Sequence, residues 1–156
     1  MRITEYNVRL NEDKIPILLK ESATNYSNAK ELNDDEKIAN MMKDVFDAGK
    51  MPEEHFWILA LDMKFHPIGV FEVSRGSLDE CILHPREIFL RLCLCNAKHF
   101  IAIHNHPSGN TSPSKDDILL TKRLKECGKL MGIALIDHII IGDDHFSFAH
   151  NNMLED

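Results

Sequence analysis

No stretch of this 156-residue sequence approaches the roughly 18 uninterrupted apolar residues of a membrane-spanning helix. The first residues, Met1-Arg2-Ile3-Thr4-Glu5, also lack the apolar run of a secretory signal. A cytoplasmic protein without membrane contact is the expectation. Cysteine is sparse, and Cys81, Cys93, Cys95 and Cys127 form neither a CxxC pair nor a disulfide framework. Three of the four fall in predicted helices and are expected to be small core residues. Excess positive charge is missing too: 18 Lys and Arg face 25 Asp and Glu, a net charge of −7. A duplex-binding surface needs concentrated basic groups to replace counterions. The densest basic run, Lys122-Arg123-Leu124-Lys125, reads instead as one solvated helix face. Nucleic acid is therefore disfavoured as the main partner. Internal repeats and low-complexity tracts are absent as well.

What is present suffices for one domain, with 44% apolar residues to build a core. Alternating runs around Tyr6-Val8-Leu10 and Ile15-Ile17 predict a hairpin, followed by a polar loop over 21–31. Asn33, with Glu36 three residues on, predicts a capping box opening a helix that Gly49 and Pro52 stop. Its stripe of Ile38, Met41, Met42, Val45 and Phe46 has helical spacing and should face the core. Segments 55–62 and 68–74 read as an antiparallel strand pair, and Pro85 as the first residue of a helix reaching about Ala97. A short buried strand over 99–103 precedes a helix from Ser114 to Cys127-Gly128. Segments 133–141 and 146–148 are the last strands. This interleaving predicts an α/β fold, a mixed sheet flanked by helices. The expected organisation is an N-terminal extension over 1–32, a domain over 33–150 and a short tail over 151–156.

The chemistry concentrates in His104-Asn105-His106-Pro107-Ser108-Gly109, with Ser114 and Asp117 beyond it. Side chains alternate along a strand, so His104 and His106 point to one side and Asn105 to the other. A Pro-, Ser- and Gly-rich loop over 107–113 then reverses the chain and presents Asp117 in the first turn of the next helix. Two imidazoles and a carboxylate can hold one divalent ion and leave a fourth position open. Local sequence offers a second role for Asp117, because Ser114-Lys115-Asp116-Asp117 is also a capping box.

The spacing His-x-His-x₁₀-Asp resembles the JAMM (JAB1/MPN) metalloprotease motif. The words around it resemble the RadC branch of that superfamily. These are His104 to Gly109, Pro113 to Asp117, His84-Pro85-Arg86-Glu87, Ser74 to Leu78, and Asp137-His138 to Gly142. The resemblance covers residues 53–150. It implies a three-layer JAB/MPN, cytidine-deaminase-like architecture and one zinc per chain, held by His104, His106 and Asp117. It further implies that Glu72 is the general base and that Ser114 steadies the oxyanion of a peptide or isopeptide substrate. Spacing alone does not separate Glu72 from Asp79, Glu80 or Glu87 as the base.

His84 and Arg86, at the start of a helix, suit packing or substrate contact. Asp137 suits a buried strand hydrogen bond or a contact that orients a ligand histidine. Substrate contacts are expected along 75–83 and 107–113. A DNA-repair role, from which RadC takes its name, and a non-catalytic binding module are the alternatives. The helix-hairpin-helix region of longer RadC chains has no expected carrier in the roughly fifty residues that precede the resembling stretch. A deaminase is excluded, since His-x-Glu and Pro-Cys-x-x-Cys do not occur.

Overall fold

The computed structural model describes residues 1–76 and 83–155. The described residues form β1 (Arg2–Leu10), β2 (Pro16–Asn25), α1 (Asp35–Phe46), β3 (His55–Leu61) and β4 (Pro67–Arg75). They continue with α2 (Pro85–Leu94), β5 (His99–Asn105), α3 (Lys115–Met131), β6 (Ala134–Ile141) and β7 (His145–Ser147). The strands join in one sheet of order β2-β1-β4-β3-β5-β6-β7. The pairs β1–β4 and β5–β6 are parallel and the others antiparallel, so the sheet is mixed as expected.

Strand β3 (His-Phe-Trp-Ile-Leu-Ala-Leu) is buried at every position. It lies between β4 and β5, and its alternate side chains feed two separate cores. Trp57, Leu59 and Leu61 pack with Ile38, Met41 and Met42 of α1 on one face. Phe56, Ile58 and Ala60 pack with Ile88 and Leu92 of α2 and Leu124 of α3 on the other. Helix, sheet and helix pair thus make three layers, each face closed by an amphipathic stripe. No helix among the described residues is long and apolar enough to cross a membrane.

Several boundaries differ from the sequence expectations, each for a local reason. The polar stretch expected as a loop from Glu21 is strand as far as Asn25, paired from Leu10↔Pro16 to Arg2↔Asn25. Strand β2 is an edge strand and mostly exposed, so polar residues are tolerated without loss of pairing. The hairpin joins the sheet at Glu5↔Val70, and Tyr6 stacks on Phe71 with ring centroids 5.8 Å apart. Asp34, not Asn33, caps α1: its carboxylate accepts from Lys37 N at 2.8 Å. Asn33 accepts from the Lys37 ammonium instead. Helix α1 ends at Asp47, in the left-handed region, before Gly49 is reached. Helix α2 stops at Leu94 rather than Ala97, and β5 runs on through His104 and Asn105. Cys93 is exposed and Cys95 and Cys127 are half-buried, contrary to the core role expected; Cys81 lies outside the described residues.

Helix α3 passes through Gly128 and ends at Met131, capped by Gly132. Gly128 is there for space: a Cβ would sit 2.5 Å from the Ile133 carbonyl oxygen. Gly128→Ala is therefore expected to destabilise the fold by about 1–3 kcal/mol, although alanine is the better helix former. Denaturant unfolding reads this directly, and an unchanged or raised midpoint would contradict the packing argument.

Candidate metal centre

Strand β5 delivers the two histidines. His104 pairs laterally with Phe56 of β3 and Ile140 of β6, is fully buried, and stacks on the Phe56 ring at 6.1 Å. His106 follows the strand end, where its N–H donates to Ile141 O. The chain then turns back, with Gly109 N donating to His106 O. Gly109 has φ of +84°, and a Cβ there would meet the Asp143 carboxylate at 2.6 Å. Gly109 O in turn accepts from Asp143 N at 2.9 Å, which pins the loop onto the β6–β7 turn.

Helix α3 brings in the third group. Ser114 is its N-cap, with Oγ accepting from Asp117 N at 3.1 Å, while Asp117 Oδ2 accepts from Ser114 N at 2.7 Å. The capping box forms, and the same carboxylate faces the histidines. The capping role of Asp117 is fulfilled, and its carboxylate is also placed where a metal ligand would need to be. Ser114 Oγ serves the cap as an acceptor, which leaves its hydroxyl proton free to donate from an exposed position.

The donor atoms converge. His104 Nε2 lies 3.0 Å from His106 Nε2 and 3.2 Å from Asp117 Oδ1, and His106 Nε2 lies 3.4 Å from Asp117 Oδ2. Ligands about 2.0–2.1 Å from a tetrahedral ion are separated by about 3.3 Å, so the spacing fits one small divalent cation. His106 Nδ1 is 2.7 Å from the Asn110 carbonyl oxygen, an acceptor only, so it carries the hydrogen and leaves the Nε2 lone pair inside the cluster. Among the described residues these three are the group able to hold a metal. His104 and Asp117 are buried and the His106 side chain is 14% exposed, so the open side lies next to His106.

Burial raises the Asp117 carboxyl, but contacts with His104 and His106 and the Ser114 N–H outweigh it and hold it far below the usual carboxylate range. It is ionised, as a ligand must be. The Asp117 contact also lifts His106 above the ordinary imidazole value, against burial. A raised value means that the proton competes with metal from a higher pH. Apparent metal affinity is expected to fall as pH drops through the raised His106 value, approaching tenfold per unit for the one proton taken up there. Chelator competition across that range tests it; affinity independent of pH would contradict imidazole ligation.

Further polar groups surround the cluster. His138 of β6 places Nε2 2.8 Å from His104 Nδ1. Burial keeps His138 well below the ordinary imidazole value, hence neutral. Its Nδ1 lies 2.6 Å from Thr121 Oγ1. Asp137 turns the other way, accepting from Ser147 Oγ, Ala149 N and His138 N, the strand hydrogen-bonding role expected of it. Asn105, pointing away from the metal side, accepts from His55 N at 2.6 Å and donates to Glu53 O. His84 caps α2, accepting from Arg86 N through Nδ1.

Glu72 stands apart from the three clustered side chains. Its Oε1 is 2.7 Å from His55 Nδ1 and 3.1 Å from Arg75 Nε. Glu72 pairs across to Trp57, and Trp57 stacks on His55, whereas His104 stacks on Phe56. Successive residues of β3 face opposite sides, so Glu72 sits at the strand end on the His55–Trp57 side. Burial raises its carboxyl, and Arg75 and His55 more than offset this, so it lies below the usual range and is ionised. Of the other candidate acids, Glu87 pairs with Arg91, while Asp79 and Glu80 lie outside the described residues. So does most of the 75–83 segment expected to touch substrate.

His138 and Thr121 escaped the sequence reading as parts of the site. Thr121 was accessible in principle, standing one helical turn beyond Asp117 on the same face. His138 was not, because its approach to His104 depends on β6 lying parallel to β5.

The fold is a mixed-sheet α/β domain with a His–His–Asp cluster able to hold a metal at the carboxyl end of a central strand. The chain belongs to the RadC-like JAB domain family, whose sequence model matches residues 32–153. A UPF0758 protein of Staphylococcus aureus (strain NCTC 8325 / PS 47) is 52% identical over 97 residues, covering 62% of this chain and 44% of that protein. One from Pelobacter propionicus is 47% identical over 102 residues, covering 65% and 44% respectively. One from Clostridium perfringens is 47% identical over 111 residues, covering 70% and 49%. The chain spans less than half the length of these relatives.

Proposed function

We propose that this domain is a zinc-dependent hydrolase of amide bonds, acting on a peptide or isopeptide. The observation that carries the reading is the convergence of three side chains, His104, His106 and Asp117, whose facing atoms lie 3.0–3.4 Å apart with one open side. An open position is the mark of a catalytic rather than a structural zinc site. When bound, zinc supplies Lewis-acid polarisation of a carbonyl and a water nucleophile near neutral pH. His104, His106 and Asp117 hold and orient it. Ser114 donates its free hydroxyl proton to the carbonyl oxygen as negative charge develops there. Glu72, ionised at neutral pH, takes a proton from the attacking water and passes it to the leaving amine. For that, its carboxylate must leave both His55 and Arg75, which hold it on the His55–Trp57 side of the sheet, and reach round the strand end toward His104. A protein substrate is favoured over nucleic acid because the chain carries a net charge of −7.

The Glu72–Arg75 ion pair favours a second reading, a metal-holding binding module without turnover. Hydrolysis of peptide and isopeptide substrates by zinc-loaded protein, with and without chelator, separates the two. Chelator-sensitive cleavage supports the hydrolase; a fully zinc-loaded protein that cleaves neither substrate class supports the binding module.

A further inference from the structure

The Thr121 hydroxyl oxygen lies 2.6 Å from the Asp117 backbone carbonyl oxygen and 2.6 Å from His138 Nδ1. Two oxygens that close need the hydrogen between them, and a carbonyl can only accept. Thr121 therefore donates to Asp117 O, and its lone pair must receive the hydrogen of His138 Nδ1. A neutral imidazole has one N–H, so His138 Nε2 is an acceptor. Facing it at 2.8 Å, His104 Nδ1 is then the donor. The His104 lone pair is left on Nε2, the atom that meets His106 Nε2 and Asp117 Oδ1. Thr121 is 3% exposed and both histidines 0%, so no solvent route offers another set of partners.

We infer that Thr121 and His138 are positioning residues that fix His104 in the one tautomer able to ligate a metal through Nε2. The chain of donors starts and ends on the ligand set, because Asp117 supplies both a carboxylate to the metal and the carbonyl that anchors Thr121. His106 reaches the same tautomer by a separate route, through Asn110 O. The inference rests on the metal reading, and its test distinguishes the two.

Two substitutions make opposite changes at one position. Thr121→Val keeps the volume and removes the hydroxyl; Thr121→Ser keeps the hydroxyl and removes a methyl. Zinc affinity by chelator competition is expected to fall about 10–100-fold in Thr121→Val and to stay at the parent value in Thr121→Ser. A packing role reverses that order, and the reversed order overturns the inference. Imidazole nitrogen NMR of the metal-free parent adds a readout that packing does not move. His138 is expected as the Nδ1–H form, shifting toward Nε2–H, the form a free imidazole prefers, in Thr121→Val. His138 found as Nε2–H in the parent overturns the proposal. Should Thr121→Val fail to fold, the parent spectrum alone decides. A parent that binds no zinc defeats the metal reading, while the spectrum still reports whether the tautomer is fixed.

Discussion

Asp117→Asn is expected to lower zinc affinity at least about a hundredfold, beyond the 10–100-fold typical of residues that only support a ligand. The amide has nearly the shape of the carboxylate, and its oxygen can still accept the Ser114 N–H at the start of α3. The helix cap therefore survives in large part. What disappears is the negative charge placed 3.2 Å from His104 Nε2 and 3.4 Å from His106 Nε2. If Asp117 were only a cap, the variant would bind zinc as the parent does and lose at most about 2 kcal/mol of stability. Zinc affinity by chelator competition, beside a denaturant melt, separates these cases. An affinity within about threefold of the parent would remove Asp117 from the ligand set, since even supporting residues cost more than that.

The second large effect is expected at Glu72. Glu72→Gln should reduce amide hydrolysis about 10²–10⁴-fold, the contribution of a positioned general base, while zinc content stays at the parent level. Retention of metal follows from the geometry, since the carboxylate is held by His55 and Arg75 rather than by the cluster. Loss of the exposed side of that ion pair should cost under about 1 kcal/mol of stability. Rates with saturating zinc are the measurement. A drop of less than about tenfold would place the base elsewhere, with Asp79, Glu80 and Glu87 the remaining acids in the same stretch.

Much of this was legible because it depends on neighbours in sequence. Alternation along a strand put His104 and His106 on one side and Asn105 on the other, and the hydrogen bonds of Asn105 to His55 and Glu53 agree. The Ser114–Asp117 box announced the start of α3, and the stripe from Ile38 to Met42 announced which face of α1 is buried. Sequence posed cap and ligand as alternatives for Asp117. One carboxylate has two oxygens: Oδ2 accepts from the Ser114 N–H while Oδ1 faces His104.

What stayed illegible depends on partners distant in the chain. His138 contacts His104 across 34 positions, through a parallel strand pairing that no local pattern encodes. Glu72 is taken up by His55, 17 positions away on the neighbouring strand. Strand β2 runs further than its sequence suggests, because exposure at a sheet edge gives a polar composition that resembles a loop. Gly128 resembles a helix stop in sequence, because the reason for glycine, the close Ile133 carbonyl, belongs to the chain that follows the helix.

His104, His106 and Asp117 are proposed to form one zinc site. Elemental mass spectrometry of the purified protein, supplied with zinc and then freed of excess, tests it most directly when His106→Ala is measured alongside. The expected result is about one zinc per chain in the parent and a small fraction of that in a folded His106→Ala protein. No zinc in the parent, or equal zinc in both, would contradict it.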